Sequence, residues 1–423
     1  MKPRLLYSDN DGLIRDHPHL LAVGDGGGEP MPLREARIIP LPRGSDLFML
    51  PDRWPLGWDA TSRKIVTMET DEAGQRVHAV AAFLAPAHTA ALLASYVTQP
   101  QAPCLPLFSY AAVGYARGRY WVAGRRLDGD ARQDPWRFDI GEIRRSVSRH
   151  LEQDPGNRLL QQLCKCALEY HCRAAQNFFL HRHEAPLPTS IACNSRCLGC
   201  ISLQSDGTFK AAHDRLREPP LPEEVAAVAL AHIQRVPRAV VSFGQGCEGE
   251  PLLMREVLTR SVRLIREATA AGTVNLNTNA SLPDVVDELA RIGLDSMRVS
   301  LNSASSELYN RYYRPQGYTW ADVVESMRRM TAQGRFVSLN LLYFPGVTDR
   351  LEEVEALCEL IELTGIRMIQ LRNLNIDPEI YKAALPAGFS GPGLGLDAFL
   401  QSLQQAFPRL RFGYFNPPKE QFP

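Results

Sequence analysis

Cysteine is scarce: nine residues in a chain of 423, too few and too unevenly spread for a disulfide scaffold. A surplus of either charge is missing too, since 47 Lys+Arg balance 47 Asp+Glu. Proteins that coat nucleic acid or anionic membranes usually carry a basic excess, so that class is disfavoured and nucleic acid is not an expected partner. Long hydrophobic runs are also lacking. The most apolar stretch, 79–97, is broken by Pro86, His88 and Thr89, which argues against a membrane span. The opening MKPRLLYSDN has no apolar core of the secretory type, so a cytoplasmic location is expected, where thiols stay reduced and open to metals. No internal repeat or low-complexity tract is evident.

What is there changes texture along the chain. Residues 1–150 carry short apolar runs cut by Pro and Gly, and predict a β-rich N-terminal domain of unknown role. One Ala-rich helix is expected at 86–97, and a hairpin from Phe108–Val113 and Tyr120–Arg126 around the turn at 114–118. From Asp139 to His183 the apolar spacing is helical (Leu159, Leu160, Leu163, Ala167, Leu168), giving a helical connector over 151–185. Over 186–385, strand-like runs alternate with amphipathic helices. A first strand near Ser190–Ala192 is followed by Ala239–Phe243, Val274–Asn277, Ser296–Leu301, Phe336–Phe344 and Met368–Leu371. This alternation predicts right-handed βαβ units and a parallel sheet, an α/β fold of the partial (β/α)6 TIM-like kind. A C-terminal extension, 386–423, adds one helix near Leu396–Ala406 and a Pro-rich tail.

The strongest chemical signal is Cys193-Asn-Ser-Arg-Cys197-Leu-Gly-Cys200, just after the first strand. Three thiolates at this spacing can bend around one cubic cluster, and three rather than four leave one iron of a [4Fe–4S] cube open. A structural zinc loop normally shows a second Cys or His pair, and none follows at finger spacing. One strand later comes Gly244-Gln-Gly246-Cys247-Glu248-Gly249-Glu250-Pro251. Polar side chains end the next two strands, at Asn275-Leu-Asn277-Thr-Asn279 and Arg298-Val-Ser300.

This CxxxCxxC followed by a glycine- and glutamate-containing loop resembles the radical S-adenosylmethionine (radical SAM) superfamily over roughly 186–377. The resemblance implies that Cys193, Cys197 and Cys200 hold a [4Fe–4S] cluster whose open iron binds SAM. Reductive cleavage of SAM would then give a 5′-deoxyadenosyl radical that abstracts hydrogen from a substrate. It also implies that Gly246, Glu248, Gly249 and Glu250 hold the SAM amino group, and that Asn277, Asn279, Arg298 and Ser300 contact its ribose or carboxylate. An electron donor such as flavodoxin or ferredoxin is the implied partner. One departure from the family pattern is Gly199, where an aromatic residue commonly packs near the adenine.

The substrate is not legible. Gln370, Arg372 and Asn375 at the end of the sixth strand are the expected substrate contacts, because a buried Arg there needs a carboxylate or phosphate partner. Asn340 is a weaker candidate of that type, and Tyr309–Pro315 reads as a packed surface loop. Cys164, Cys166 and Cys172 offer a second, auxiliary iron–sulfur site if a helix break falls at Tyr170-His171, with Cys104 or His171 to complete it and Cys247 as an inert or further ligand. No cysteine follows Cys358, and no cobalamin-type His motif is recognisable, so peptide maturation with C-terminal twin clusters and cobalamin-dependent methylation are not expected. Two other readings stand beside the radical one: a non-catalytic iron–sulfur redox or iron sensor, and a zinc-dependent β/α hydrolase.

Overall fold

The computed structural model describes residues 1–33, 36–204, 207, 210–387, 389 and 391–422. Among the described residues the N-terminal part is antiparallel, thirteen strands from Arg4–Ser8 to Arg119–Arg126 joined in one sheet network. Strand His78–Phe83 is buried along nearly its whole length, which its small Ala79, Ala81 and Ala82 allow. The expected hairpin forms between Val113–Ala116 and Arg119–Arg126. Its turn is tighter than the sequence suggests: Arg117 and Gly118 both take positive φ (53° and 74°), the geometry of a two-residue hairpin turn.

The Ala-rich helix at 86–97 does not exist. Three short strands, His88–Ala90, Leu93–Ala94 and Tyr96–Thr98, lie there instead. Ala favours helix locally, but tertiary pairing overrides it. The Ala91 and Ala94 amides donate to the carbonyls of Ala123 and Tyr110 at 3.0 and 2.8 Å.

Three connector helices follow: α1 (Ile140–Gln153), α2 (Arg158–Leu168) and α3 (Arg173–Phe179). The second unit then alternates strand and helix, with strands numbered here from its start. They are β1 (Glu184–Pro186), β2 (Val240–Phe243), β3 (Thr273–Thr278), β4 (Ser296–Leu301), β5 (Phe336–Tyr343), β6 (Met368–Asn373) and β7 (Arg411–Gly413). Each pairs parallel with the next, in sequence order. Between them run α4 (Pro222–Arg235), α5 (Arg255–Ala268), α6 (Pro283–Ile292), α7 (Ser306–Tyr313), α8 (Trp320–Ala332), α9 (Leu351–Thr364), α10 (Pro378–Ala383) and α11 (Leu396–Ala406). Pro at the first turn of α4 and α6 and left-handed Gly293 and Gly365 closing α6 and α9 mark these boundaries.

Two expectations about this sheet are corrected. Its first strand lies earlier than Ser190–Ala192, because the Thr189 and Ser190 amides turn to the Glu248 carboxylate rather than to a neighbouring strand. The C-terminal extension also supplies a seventh strand, β7, so six strands become seven.

The N-terminal part docks on the strand ends of this half-barrel. Arg53 pairs with Asp377 at 3.2 Å, both side chains 2% exposed. Asp377 also accepts from the Leu105 amide at 2.8 Å. Asn373 bridges the Ala90 amide and the His88 carbonyl. Among the described residues no helix is long and apolar enough to cross a membrane.

Candidate active site

The interior of the half-barrel is polar, which decides what can sit at its mouth. Strand alternation turns Asn275, Ser296, Ser338 and Gln370 inward, all buried. Asn275 bonds Ser242 and accepts from Ser296, while the Gln370 amide donates to Ser338 and to Asn416 of the C-terminal tail. Asn416 in turn donates to Glu184 on β1 at 2.8 Å and to Asn277 on β3 at 3.3 Å. Buried polar groups satisfy one another here, and the layer forms a floor.

Above the floor, at the C-terminal ends of the strands, lies a cavity of about 420 Å³. Cys193, Cys197 and Cys200 all line it. Their loop is clamped from α7, with the Arg196 and Leu198 amides donating to the carbonyls of Tyr313 and Tyr312. Asn279 fixes its start, donating to Asn194 and Ser195 at 2.8 and 2.9 Å. Burial pushes the Cys193 thiol up to about 11, helped by the charge of Glu250. Cys197 is raised well above its usual value by burial and then by Cys200 and Cys193, so the three sulfurs share one field. Such thiols ionise only beside a cation, which suits a metal-ligating set. Arg215 stands at one edge, its guanidinium 3.7 Å from Cys200 Sγ. Among the described residues no three His, Cys, Asp or Glu side chains converge on a point small enough for one metal ion. A cube asks something different, because each thiolate binds its own iron.

The glycine loop is built by close backbone packing. A Cβ on Gly244 (φ 78°) would stand 1.7 Å from the Asn277 carbonyl oxygen, and one on Gly249 would stand 1.9 Å from that of Ala192. The loop glutamates line the cavity, but their carboxylates are engaged by the fold. Glu248 accepts from the amides of Thr189, Ser190 and Gln245 at 2.7–2.8 Å. Glu250 accepts from the amides of Leu252 and Asn279 and from the Thr278 hydroxyl. Burial pushes both up to about 7 against these bonds. Glu248 and Glu250 thus brace the loop while lining the cavity, and the loop also offers its backbone, including Gly246, to it.

Asn277 and Asn279 also reach the cavity, each tied to neighbouring elements. Arg298, Ser300, Asn340, Arg372 and Asn375 complete the opposite wall. Arg298 donates to Gln370 at 3.1 Å, and its pKa is pushed down to about 10 by burial and by Arg372. Arg372 lies over the Tyr414 ring, 3.2 Å from its centroid. Arg298 Nε, Arg372 Nη1 and Asn340 Oδ1 are buried without a hydrogen-bond partner. Gln370 is corrected as a substrate contact: it is fully buried in the floor, below the cavity.

Tyr309–Pro315 is not a surface loop. It forms α7 and its end, and Tyr312 and Tyr313 line the cavity beside the thiols. Tyr312 also answers the missing aromatic at Gly199, since a Cβ there would meet the Tyr312 hydroxyl at 2.8 Å. The N-terminal part contributes Phe83 and Leu84 as a cover. Sequence reasoning missed Arg215, Glu184, Tyr414, Asn416 and these two covers, whose neighbourhood is set only by tertiary contacts.

The auxiliary cysteines separate. The break at Tyr170-His171 is real: α2 ends at Leu168, His171 takes φ 49°, and the Cys172 amide donates to the Cys166 carbonyl at 2.9 Å. Cys166 and Cys172 face a second small cavity with Cys247, whereas Cys164 packs in the hydrophobic core. His171 is exposed, and Cys104 lies near Arg53 and Asp377. The set Cys164, Cys166, Cys172 is therefore not one site.

Residues 187–361 match the family described as the Radical SAM superfamily. Over 180 residues the chain is 28% identical to the FeMo cofactor biosynthesis protein NifB of Klebsiella pneumoniae, covering 38% of this chain and 37% of that protein. Over 195 residues it is 23% identical to GTP 3′,8-cyclase of Clostridium botulinum, covering 45% and 56%. The chain thus spans about a third to a half of the length of these curated relatives. A crystal structure of a radical SAM methyltransferase from Sphaerobacter thermophilus superposes with a TM-score of 0.40 at 19% identity, over 55% of this chain and 65% of that one. The matched segment carries both the thiol triplet and the glycine loop, so residues 187–361 are similar throughout to the Radical SAM superfamily domain.

Proposed function

We propose that the cavity binds a [4Fe–4S] cluster on Cys193, Cys197 and Cys200 together with SAM, and that the chain uses them on an anionic substrate. The observation that carries this is the three-thiol set facing one cavity whose described lining holds no fourth cysteine and no histidine. When bound, this cofactor pair supplies reductive cleavage of the sulfonium to methionine and a 5′-deoxyadenosyl radical.

The chain's own residues would do the rest. Backbone carbonyls of the glycine loop would take the SAM amino group, while Glu248 and Glu250 hold that loop to Thr189, Ser190 and Asn279. Ser300 and Asn340, opposite each other on β4 and β5, would face SAM polar groups. Tyr312, rather than residue 199, would pack near the adenine. Phe83 and Leu84 would keep water from the reacting centre.

The substrate reading follows from Arg298 and Arg372. Two half-buried cations side by side, each with a buried donor nitrogen that has no partner, favour a negative group that joins them. A carboxylate or phosphate on the substrate supplies that group. A non-catalytic sensor leaves this paired cationic wall without a role.

Anaerobic reconstitution with iron, sulfide, dithionite and SAM tests the core of the proposal. 5′-Deoxyadenosine should form with the wild type and not with Cys197→Ala. Tightly bound zinc at the triplet, or an iron–sulfur protein that leaves SAM intact, refutes it.

A further inference from the structure

Two thiols meet behind the glycine loop. Cys166 on α2 and Cys247, between Gly246 and Glu248, are both buried, and a hydrogen bond joins them. Gln162, one turn earlier on α2, donates to Cys166 Sγ at 3.4 Å. Cys166 therefore accepts from two directions, which favours its thiolate, while the shared bond pushes the donor, Cys247, up. Cys172, at the start of α3, faces the same space but acts on both only through its charge. A buried thiol ordinarily packs as a small apolar side chain, as Cys164 does. This pair instead joins two elements about eighty positions apart, and the chemistry of the first cavity does not use it.

The pair borders a second cavity of about 40 Å³, lined also by His213, whose Nδ1 is buried with no partner. A water molecule takes up about 30 Å³ of liquid, so this space admits hydrogen peroxide and excludes an oxidant the size of glutathione disulfide. Gln245 and Gly246 line both this cavity and the first. Any movement of Cys247 is thus passed directly to the wall of the first cavity. Helix α2 has less freedom to move, because Leu159, Leu160 and Leu163 anchor it in the core.

We propose that Cys166 and Cys247 form a peroxide-reactive pair, whose closure to a disulfide draws the glycine loop away from the first cavity. The Cys166 thiolate attacks one oxygen of hydrogen peroxide and the O–O bond breaks. The thiol proton goes to the departing oxygen, which leaves as water, and His213 Nδ1 is the group in the cavity able to carry it. Cys247 then attacks the Cys166 sulfenic sulfur, the S–S bond forms, and the hydroxyl leaves with the Cys247 proton as a second water. The two thiols lose two electrons and two protons, and one peroxide takes up both. Sulfurs in hydrogen-bond contact must close to about 2.05 Å, and the loop makes that move rather than the anchored helix. The reaction of the pair is independent of the SAM reading, whereas its effect on the first cavity rests on it.

In the first arm of the test the full chain, reduced and anaerobic, is treated with hydrogen peroxide, quenched with catalase, alkylated and mapped by mass spectrometry. A Cys166–Cys247 crosslink should form in the wild type and in Cys172→Ser. It should be missing from Cys166→Ser and Cys247→Ser, and from wild type given glutathione disulfide in place of peroxide. Circular dichroism and thermal unfolding check that each variant is folded, and Cys247→Ser carries the mapping if Cys166→Ser is not. In the second arm the chain is loaded with iron and sulfide before peroxide, and SAM binding is measured per iron retained. Oxidised wild type should bind SAM about fivefold or more weakly than reduced wild type, and oxidised Cys166→Ser as tightly as its reduced form. No Cys166–Cys247 crosslink, a Cys166–Cys172 crosslink in its place, equal oxidation by glutathione disulfide, or equal SAM affinity of reduced and oxidised wild type overturns the proposal. A reduced wild type that binds no SAM refutes the radical reading, and the reactive pair then stands or falls on the crosslink map.

Discussion

The Tyr312 hydroxyl occupies the space that a side chain on Gly199 would need, 2.8 Å from the position of its Cβ. The Asn375 carbonyl oxygen closes the other side at 3.2 Å. Glycine is therefore required between Leu198 and Cys200 by an aromatic ring arriving from α7. Gly199→Ala should overpack this corner, at about 1–3 kcal/mol, and lower cluster occupancy. Tyr312→Phe removes the nearer clash, so the double variant should regain iron relative to Gly199→Ala alone. Equal iron in Gly199→Ala and wild type would contradict this account.

Arg53 and Asp377 are buried together where the N-terminal part meets the half-barrel. Asp377→Ala strands a guanidinium out of water and should destabilise the chain by about 3–5 kcal/mol, read in urea unfolding. The pair Arg53→Met with Asp377→Leu should lose less than Asp377→Ala, because no charge is left uncompensated. A larger loss in the double variant would show that the contact is a net stabiliser by itself.

Inorganic phosphate serves as a probe of the cationic wall. It should raise the melting temperature of the wild type and do so less in Arg372→Gln, which withdraws one unpartnered donor. Uncoupled 5′-deoxyadenosine formation in Arg372→Gln should stay within about threefold of wild type, since this residue is assigned to the substrate. A phosphate response unchanged in the variant would move the anion site elsewhere.

His232 is 1% exposed, and burial holds its pKa down to about 4 against the bond to the His183 carbonyl. The unfolded chain, titrating near pH 6.5, binds the proton more readily than the folded one. The stabilisation is thus complete above about pH 6.5 and lost as pH falls towards 4, on the order of 3 kcal/mol in total. Denaturant unfolding of wild type and His232→Phe at pH 7.5 and 5 isolates it: the wild type should lose more stability between the two. Parallel curves would exclude His232 as the titrating group.

Local patterns carried far. Helices α4, α9 and α11 and strand β4 fall where the apolar period places them, because each buries one continuous face against the sheet and nothing nearby contests it. The errors occur where distant backbone competes. Residues 86–97 trade helix for strands whose partners lie far along the chain, Ala90 opposite Gly124, Tyr96 opposite Pro55 and Leu93 opposite Asp25, and Ser190 gives up its strand for the Glu248 carboxylate. β7 is only three residues long and too short for any periodicity to reveal.

The order of the thiol triplet, the glycine loop and the alternating strands belongs to the sequence alone, since ligand spacing and strand–helix period are properties of neighbouring residues. Tertiary structure decided which side chains share a wall. It tied Glu248 and Glu250 to distant backbone amides, brought Tyr312 into the space Gly199 leaves, sank Gln370 into the floor, and placed Cys247 rather than Cys164 beside Cys166 and Cys172. The physical reason is that a buried carboxylate, amide or thiol takes whichever partner the packing presents, and that partner usually lies far along the chain.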